Sequence, residues 1–456
     1  MNKKILLRGK RQIGGTFFIT KTIKNENQLN IFIEELKKDN FDYKKSNESW
    51  IKDNQSIFKN YTIDTKTKVI DTIKDIFHKL VIGVYIQIRN SKITRFVYLT
   101  NYHFSNKWEK SGNIIIPEDY EKIRKRNIMK LNLNSKKLKE ELNYEKNSSK
   151  WNANGCLMGT WKNPIFKGFR RLYLFSKILT KALQNTNDIN CDFILNRRDF
   201  PIVKSDNSHP YNLENTNSFY KNPIPIFSLC TNPKFADLPF PNREDWDLAE
   251  DKFSDIVDKY KWEDKIEKAV WRGNATNCGV TSENNQRLKL HQLNKRLSDY
   301  INVGIIGWNG RDKIQPNTNE LAFINRDNFD PLKMFISPEE QLKYKYQLNV
   351  DGHVSAFRLG FILSINTVLL QVRSTSNWTL WYQDKLIDHD INSDQDQQSH
   401  FIYIKEDLSD LKEKIIWCRN NDKICKEISK RATIFFENNL KMINLVKFVK
   451  KQLFKI

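Results

Sequence analysis

Apolar positions recur along this chain with two different periods. Val69, Ile70, Ile73, Ile76, Phe77 and Leu80 follow the three-to-four spacing of an amphipathic helix. A shorter helix is expected over Leu29 to Leu36, followed by a charged loop from Lys37 to Lys45. Val81 to Ile88 and Ile93 to Thr100 read instead as two strands joined at an Asn90-Ser91 turn. Residues 130–150 are rich in Lys and Asn and nearly lack aromatics, which suits a linker or an exposed helix. The helical period returns from Ile165 to Leu183, and Asp192 to Asn196 makes a short strand. Pro201 has no ladder donor, so Asp199 stands at or just past the carboxyl end of that strand. Ile224 to Ser228 is a further strand, Phe235 to Asn242 a Pro-punctuated loop, and 244–259 a helix.

The second half alternates more regularly. Ala269 to Asn274 is a strand running into a loop, 283–300 a helix, Val303 to Ile306 a buried strand, and 308–335 a long loop region. Gln347 to Val350 is a strand ended by the Asp351-Gly352 turn signal. Val354, Phe357 and Phe361 then recur at helical spacing, and Thr367 to Val372 has the apolar, β-rich character of a strand buried on both faces. His400 to Ile404 is a last strand. Helices are expected up to Arg419 and over 422–439, the second capped by Asn421 or Asp422. Strands alternating with helices point to an α/β fold with parallel sheets. Residues 151–242 with 441–456 are expected as one domain and 243–440 as a second, after an α+β extension over 1–130 and a linker over 131–150.

Composition narrows the picture. The chain has 456 residues, 39% of them hydrophobic, enough for two or three domains with real cores. Its net charge of +22 attracts polyanions: nucleic acid, an anionic membrane or nucleotide phosphates. The Lys is spread throughout and no nucleic-acid-binding module is recognisable, so much of it also reads as solvated surface. The six cysteines form no CxxC pair, which disfavours zinc and suits a reducing compartment. Arg8, Lys10 and Arg11 interrupt the apolar start, so no signal peptide is read, and no run approaches a membrane span. The expectation is a soluble intracellular protein. The basic, amphipathic segment Lys441 to Ile456 packs on the first domain or, alternatively, adsorbs weakly to an anionic membrane.

Candidate chemistry gathers at predicted strand ends. In an open α/β sheet ligands bind outside the carboxyl ends of strands, and a helix that opens there favours an anion. Read this way, Gly352 to Ala356 offer backbone N–H groups, and Arg358, about one turn into the helix, reaches the same anion. A plain packing unit with a solvent-facing Arg is equally compatible with the spacing. Gly273 allows close backbone approach to a ligand, and Arg272 and Arg287 add guanidinium forks suited to phosphate. Asp199 meets substrate, or else pairs with Arg197 or Arg198. Asp245-Trp246-Asp247 is a D-x-D, but acids at a helix start simply suit the dipole, so no metal is expected. Trp378, Leu380, Trp381 and Tyr382 either stack a base or sugar or belong to a core.

Six motifs occur in one order: N-R-R-D-F-P (196–201), P-I-P-I-F-S (223–228), F-A-D-L-P-F-P with E-D-W-D (235–247), W-R-G-N with a downstream Arg (271–287), K-Y-K-Y-Q-L-N-V-D-G-H-V-S-A-F-R (343–358) and H-F-I-Y-I-K-E-D-L-S-D-L (400–411). Over about residues 150–440 this resembles glycosyltransferase family 90, which holds the Rumi-type protein O-glucosyltransferases, KDEL-motif-containing relatives and fungal capsule-associated xylosyltransferases. The resemblance implies a GT-B architecture, two Rossmann-like domains facing across a cleft. It implies a UDP-sugar donor as co-substrate, an inverting reaction without a metal or other cofactor, and a hydroxyl of a protein or glycan as acceptor.

Residue by residue, Asp199 matches the family's catalytic Asp. Arg287 matches a donor-binding Arg. His353, Val354, Ser355, Ala356, Phe357 and Arg358 match the nucleotide-binding loop and helix start. Asn274 stands where the animal glucosyltransferases carry a donor-contacting serine, which bears on the choice of sugar. The Leu-Phe-Lys-Ile terminus is no ER-retention signal. F-A-D with E-D-W-D resembles family members from algae and large DNA viruses.

Overall fold

In a computed structural model, the structure describes residues 21–40, 65–77, 82–100, 149–151, 157–159, 169–197, 199–205, 224–250, 256, 259–277, 279–308, 313–314, 321–322, 324–393 and 398–456. Apart from residues 149 and 150, the expected linker over 131–150 lies outside these residues, as does Arg198. The chain divides into two units, residues 1–108 with 160–241 and 442–456, and residues 109–159 with 242–441. Each is α/β, with one principal sheet.

In the first unit the strands are β1 (Lys21–Ile23), β2 (Ile82–Arg89), β3 (Lys92–Thr100), β4 (Cys191–Asn196), β5 (Ile226–Ser228) and β6 (Leu238–Pro239). They lie in the order β1-β3-β2-β4-β5-β6. The sheet is mixed: β2 is antiparallel to β3 and to β4, while β4, β5 and β6 run parallel. Residues 21–100, expected as an extension, thus share one sheet with residues 191–239. The β2–β3 hairpin turns at Asn90 and Ser91, both at positive φ (48° and 57°), the handedness that two-residue hairpin loops require.

Helices α1 (Glu26–Lys37) and α2 (Thr65–Asp75) bury Leu29, Phe32, Ile33, Leu36, Val69 and Ile73 in a core shared with Tyr85, Val97, Ile194 and Ile226. The C-terminal helix, Met442–Leu453, packs on α3 (Phe169–Leu183) and buries Leu445, Val449 and Leu453. The basic, amphipathic C-terminal segment thus packs on the first unit, the first of the two readings its sequence allows. No helix among the described residues is long and apolar enough to cross a membrane.

The second unit holds α4 (Arg243–Ala249), β7 (Ile266–Asn274), α5 (Gln286–Arg296), β8 (Ile301–Gly307), β9 (Tyr344–Asn349), α6 (Leu359–Ser364), β10 (Val368–Val372), β11 (Phe401–Ile404), α7 (Leu411–Asn420) and α8 (Asp422–Asn439). Its five principal strands form one parallel sheet in the order β8-β7-β9-β10-β11. All five residues of β10 are buried, which is why this run lacks polar alternation. Leu288, Leu411, Ile415 and Ile428 from the helices pack on Trp271, Val303, Leu348, Leu370 and Ile402. The expected cap of α8 differs: Asn421 makes no side-chain cap bond, and the Asp422 carboxylate accepts from Trp262 and Lys345.

Candidate functional site

The strand order of the second sheet singles out one place. From β7 the chain crosses to β8 on one side; from β9 it crosses to β10 on the other. Between the carboxyl ends of β7 and β9 the connections diverge, and such a switch point leaves a crevice where open α/β sheets bind ligands. The segments 272–276 and 349–352 border it. Arg287, Arg358 and the 351–358 loop are tied to these same segments.

Arg287 is held at the start of α5, whose N-cap Asn285 accepts from the backbone N–H of Arg287 and Leu288. Its guanidinium is buried. Nε donates to the Asp351 carbonyl (2.7 Å) and Nη2 to that of Val350 (2.9 Å). Nη1 donates to the Asn274 carbonyl (3.0 Å) and the Thr276 hydroxyl (2.6 Å). The indole of Trp271 lies 5.4 Å from its carbon centre. One guanidinium therefore joins the ends of β7 and β9. Burial pushes its pKa down to about 9, with the charge of Arg358 acting in the same direction and Asp351 opposing. Thr276 and Asp351 carry part of this arrangement; the sequence marks Asp351 only as a turn signal and gives no sign of Thr276.

Arg358 is placed differently from its expected position. Helix α6 begins only at Leu359, and Arg358 is its N-cap rather than a residue one turn in. Residues 351–358 form a non-helical loop because local bonds compete with helix formation. Gly352 N–H donates to the Val354 carbonyl, a tight local bond in place of a helical one. Within this loop His353, Val354, Ser355 and Ala356 are buried, and Gly352, Phe357 and Arg358 are half-buried. Arg358 Nη1 donates to the Arg272 carbonyl (2.6 Å). Its remaining N–H donors have no protein partner among the described residues. Burial pushes its pKa down to about 10, with Glu244 opposing. Two guanidiniums that disfavour each other's charge thus share this crevice, an arrangement that an anion stabilises. Asp351, whose carboxyl is pushed up to about 6 by burial, is the carboxylate beside Arg287.

The remaining sequence candidates take other roles. Arg272 donates from Nε to the Met334 carbonyl, from Nη1 to the Trp271 and Asn302 carbonyls, and from Nη2 to Asn302 Oδ1. Its fork ties β7 to β8 and the 330s segment, leaving it poorly placed for a phosphate. Space above Gly273 is filled by the chain itself: a Cβ there would lie 2.6 Å from the Trp271 ring. This glycine makes room for an indole. Gly352 has the closer relation to the site, since a Cβ on it would meet Thr276 Oγ1 at 3.2 Å and Arg287 Nη2 at 3.3 Å. Asn274 is exposed at the end of β7, with its carbonyl bound by Arg287.

The D-x-D motif resolves into structure. Asp245 is buried and forms a capping box with Asn242, and its Oδ2 also accepts from Trp381 Nε1 (2.9 Å). Burial pushes its carboxyl up to about 7. Among the described residues no group of three or more His, Cys, Asp or Glu is placed to hold a metal ion. Trp378, Leu380, Trp381 and Tyr382 are all buried, so the aromatic patch is core rather than a stacking platform.

Asp199 belongs to the first unit. Strand β4, buried along its whole length, ends at Asn196 and delivers Asp199 just beyond its carboxyl end. The residue is half-buried, and its carboxylate has no hydrogen bond or ion pair among the described residues. Its backbone carbonyl accepts from the Cys230 thiol (3.2 Å).

The chain is 29% identical to Uncharacterized protein 035R of Invertebrate iridescent virus 3 over 404 residues, covering 81% of this chain and 34% of that protein. It is 28% identical over 262 residues to Protein O-glucosyltransferase 2 of Danio rerio, covering 55% of this chain and 43% of that protein. Against Protein O-glucosyltransferase 3 of Homo sapiens the identity is 24% over 221 residues, 46% and 38% of the two chains. The chain thus spans well under two thirds of the length of these relatives. Residues 167–455 match the model of glycosyl transferase family 90, a stretch that takes in β4, the Asp199 loop and the whole parallel sheet. On a match to more than half of its length, the chain belongs to glycosyl transferase family 90.

Proposed function

We propose that this chain is an inverting, metal-independent glycosyltransferase of GT-B architecture. It moves glucose or xylose from a UDP-sugar to a hydroxyl of a protein or glycan. The observation that carries the donor half is the meeting of Arg287 and Arg358 at the switch point of the parallel sheet, with Arg358 keeping N–H donors free among the described residues. Family membership supports a sugar nucleotide as the anion, and two of the relatives bear the name protein O-glucosyltransferase.

In this reading Asp199 accepts the proton of the acceptor hydroxyl as its oxygen attacks the anomeric carbon. The bond from that carbon to the β-phosphate oxygen breaks on the opposite face, and UDP departs with the bonding pair. A base is useful because a neutral hydroxyl is a poor nucleophile. Arg358 is suited to the charge that grows on the departing diphosphate. Arg287 adds its field while it holds the crevice walls, and the N–H groups of residues 353–356 contribute dipoles. The Asp199 carboxylate, without a partner among the described residues and just beyond the end of a buried strand, supports the role of base.

Incubation with a panel of UDP-sugars, UDP-glucose and UDP-xylose first, tests the proposal by UDP release. Release with one of them, and product of inverted anomeric configuration, is expected. UDP release with none of the panel, or a retained configuration, contradicts it.

A further inference from the structure

The loop that bears Asp199 is tied down by a buried polar network that the reaction itself does not use. Asp237, in the short segment leading into β6, is buried beneath it. Its Oδ1 accepts from the Ile202 N–H (2.9 Å) and its Oδ2 from the Val203 N–H (2.7 Å). The Ser228 hydroxyl, at the end of β5, donates to Oδ1 at 2.6 Å. Asn196, the last residue of β4, donates from Nδ2 to Ser228 Oγ (3.0 Å) and to the Phe200 carbonyl. The backbone reinforces this: Ala236 N–H donates to the Val203 carbonyl and Ser205 N–H to that of Lys234.

Asp199 is thereby fixed from both sides. Behind it, Asn196 is bound into β4; ahead of it, the next residues are gripped at the Phe200 carbonyl and the Ile202 and Val203 amides. Its own carbonyl is held by Cys230. The ties on residues 199–203 named here all reach backbone, and the Asp199 carboxylate is left without a partner among the described residues. A carboxylate that accepts three donors in a buried setting is a strong and directional anchor.

We infer that Asp237 is a positioning residue that sets the Asp199 loop in its reactive geometry, an inference that rests on the reading of Asp199 as the general base. Burial pushes the Asp237 carboxyl up to about 6, against its hydrogen bonds to Ser228, Val203 and Ile202, so it is ionised at neutral pH. An Asn at this position presents an NH2 group where an oxygen accepts from an N–H or O–H donor. At least one donor then loses its acceptor, and the loop shifts. Displacement of a catalytic group by about an ångström costs on the order of a hundredfold in rate.

The test compares wild type with Asp237→Asn and with the milder Ser228→Ala, which removes one donor and leaves both amides bound. Three quantities are read: kcat and KM for the UDP-sugar, the Kd of UDP, and amide exchange in peptides covering 199–205. Asp237→Asn is expected to lower kcat by about a hundredfold. KM and the UDP Kd stay within about twofold, because the donor anion site lies in the other unit, and exchange speeds up in 199–205 alone. Ser228→Ala shows a smaller loss in the same direction, and it carries the test should Asp237→Asn fail to fold. Unchanged exchange at 199–205, or a kcat within twofold of wild type, overturns the inference. A wild-type chain that releases no UDP from any UDP-sugar overturns the transferase reading instead. The exchange result then decides by itself whether Asp237 holds the loop.

Discussion

Replacing Arg358 by Gln removes a charge whose role in the free protein differs from its role with an anion bound. In the free protein the guanidinium makes one hydrogen bond among the described residues, from Nη1 to the Arg272 carbonyl. Its pKa is pushed down to about 10 by burial, so the fold disfavours its charge although it remains protonated at neutral pH. The loss of one neutral-acceptor bond, about 1 kcal/mol, is offset by relief of that desolvation, and the free variant keeps nearly wild-type stability. With UDP present the balance changes. A hydrogen bond from a charged donor is worth about 1.5–3 kcal/mol, which converts to about ten- to hundredfold in affinity. Titration calorimetry with UDP should show a Kd raised by that factor. Thermal melting should show a near-normal Tm without UDP and a reduced upward shift with it. A variant that binds UDP within twofold of wild type refutes the placement of the leaving group at Arg358.

Three further outcomes follow from the same geometry. Gly273→Ala places a Cβ 2.6 Å from the Trp271 ring, and overpacking of this kind costs about 1–3 kcal/mol in denaturant unfolding; an unchanged midpoint contradicts the packing role. Asp245 has its carboxyl raised to about 7 in the fold, so the native state holds a proton that the unfolded chain has lost between about pH 4 and 7. Its contribution to stability is therefore greatest at low pH and falls as pH rises through that window, by at most about 1.4 kcal/mol per pH unit. Unfolding of Asp245→Asn from pH 5 to 8 should show a flatter dependence than wild type, and identical slopes count against the assignment. EDTA should leave transfer intact, whereas strict dependence on added Mn²⁺ contradicts the metal-free reading.

Strand and helix placement in the parallel sheet was legible because each element carries one strong signal. Val368–Val372 is apolar but for Gln371, and Gln286–Arg296 lies inside the helix expected over 283–300. Features governed by contacts distant in sequence were not. Nothing local marks residues 21–100 as partners of 191–239, because β2 pairs with β4 across about a hundred residues. Arg272 and Arg287 look alike as phosphate forks, and only the fold shows which backbone carbonyls each one binds. Helical spacing of Val354 and Phe357 suggests a longer helix than the six-residue α6, whereas the bond from Gly352 N–H to the Val354 carbonyl turns that stretch into a loop. Asp237 was visible only as a letter in the F-A-D-L-P motif; its amide partners lie more than thirty residues earlier in the chain.

Turnover by Asp199→Asn bears most directly on the central claim. The substitution is nearly isosteric, and the carboxylate it replaces has no partner among the described residues. UDP release and glycosyl transfer are compared with wild type at saturating UDP-sugar, alongside the Kd of UDP for both proteins. The account predicts that UDP binding and Tm are kept while transfer falls by about a hundredfold or more, the scale of removing a general base. Wild-type turnover by Asp199→Asn contradicts it.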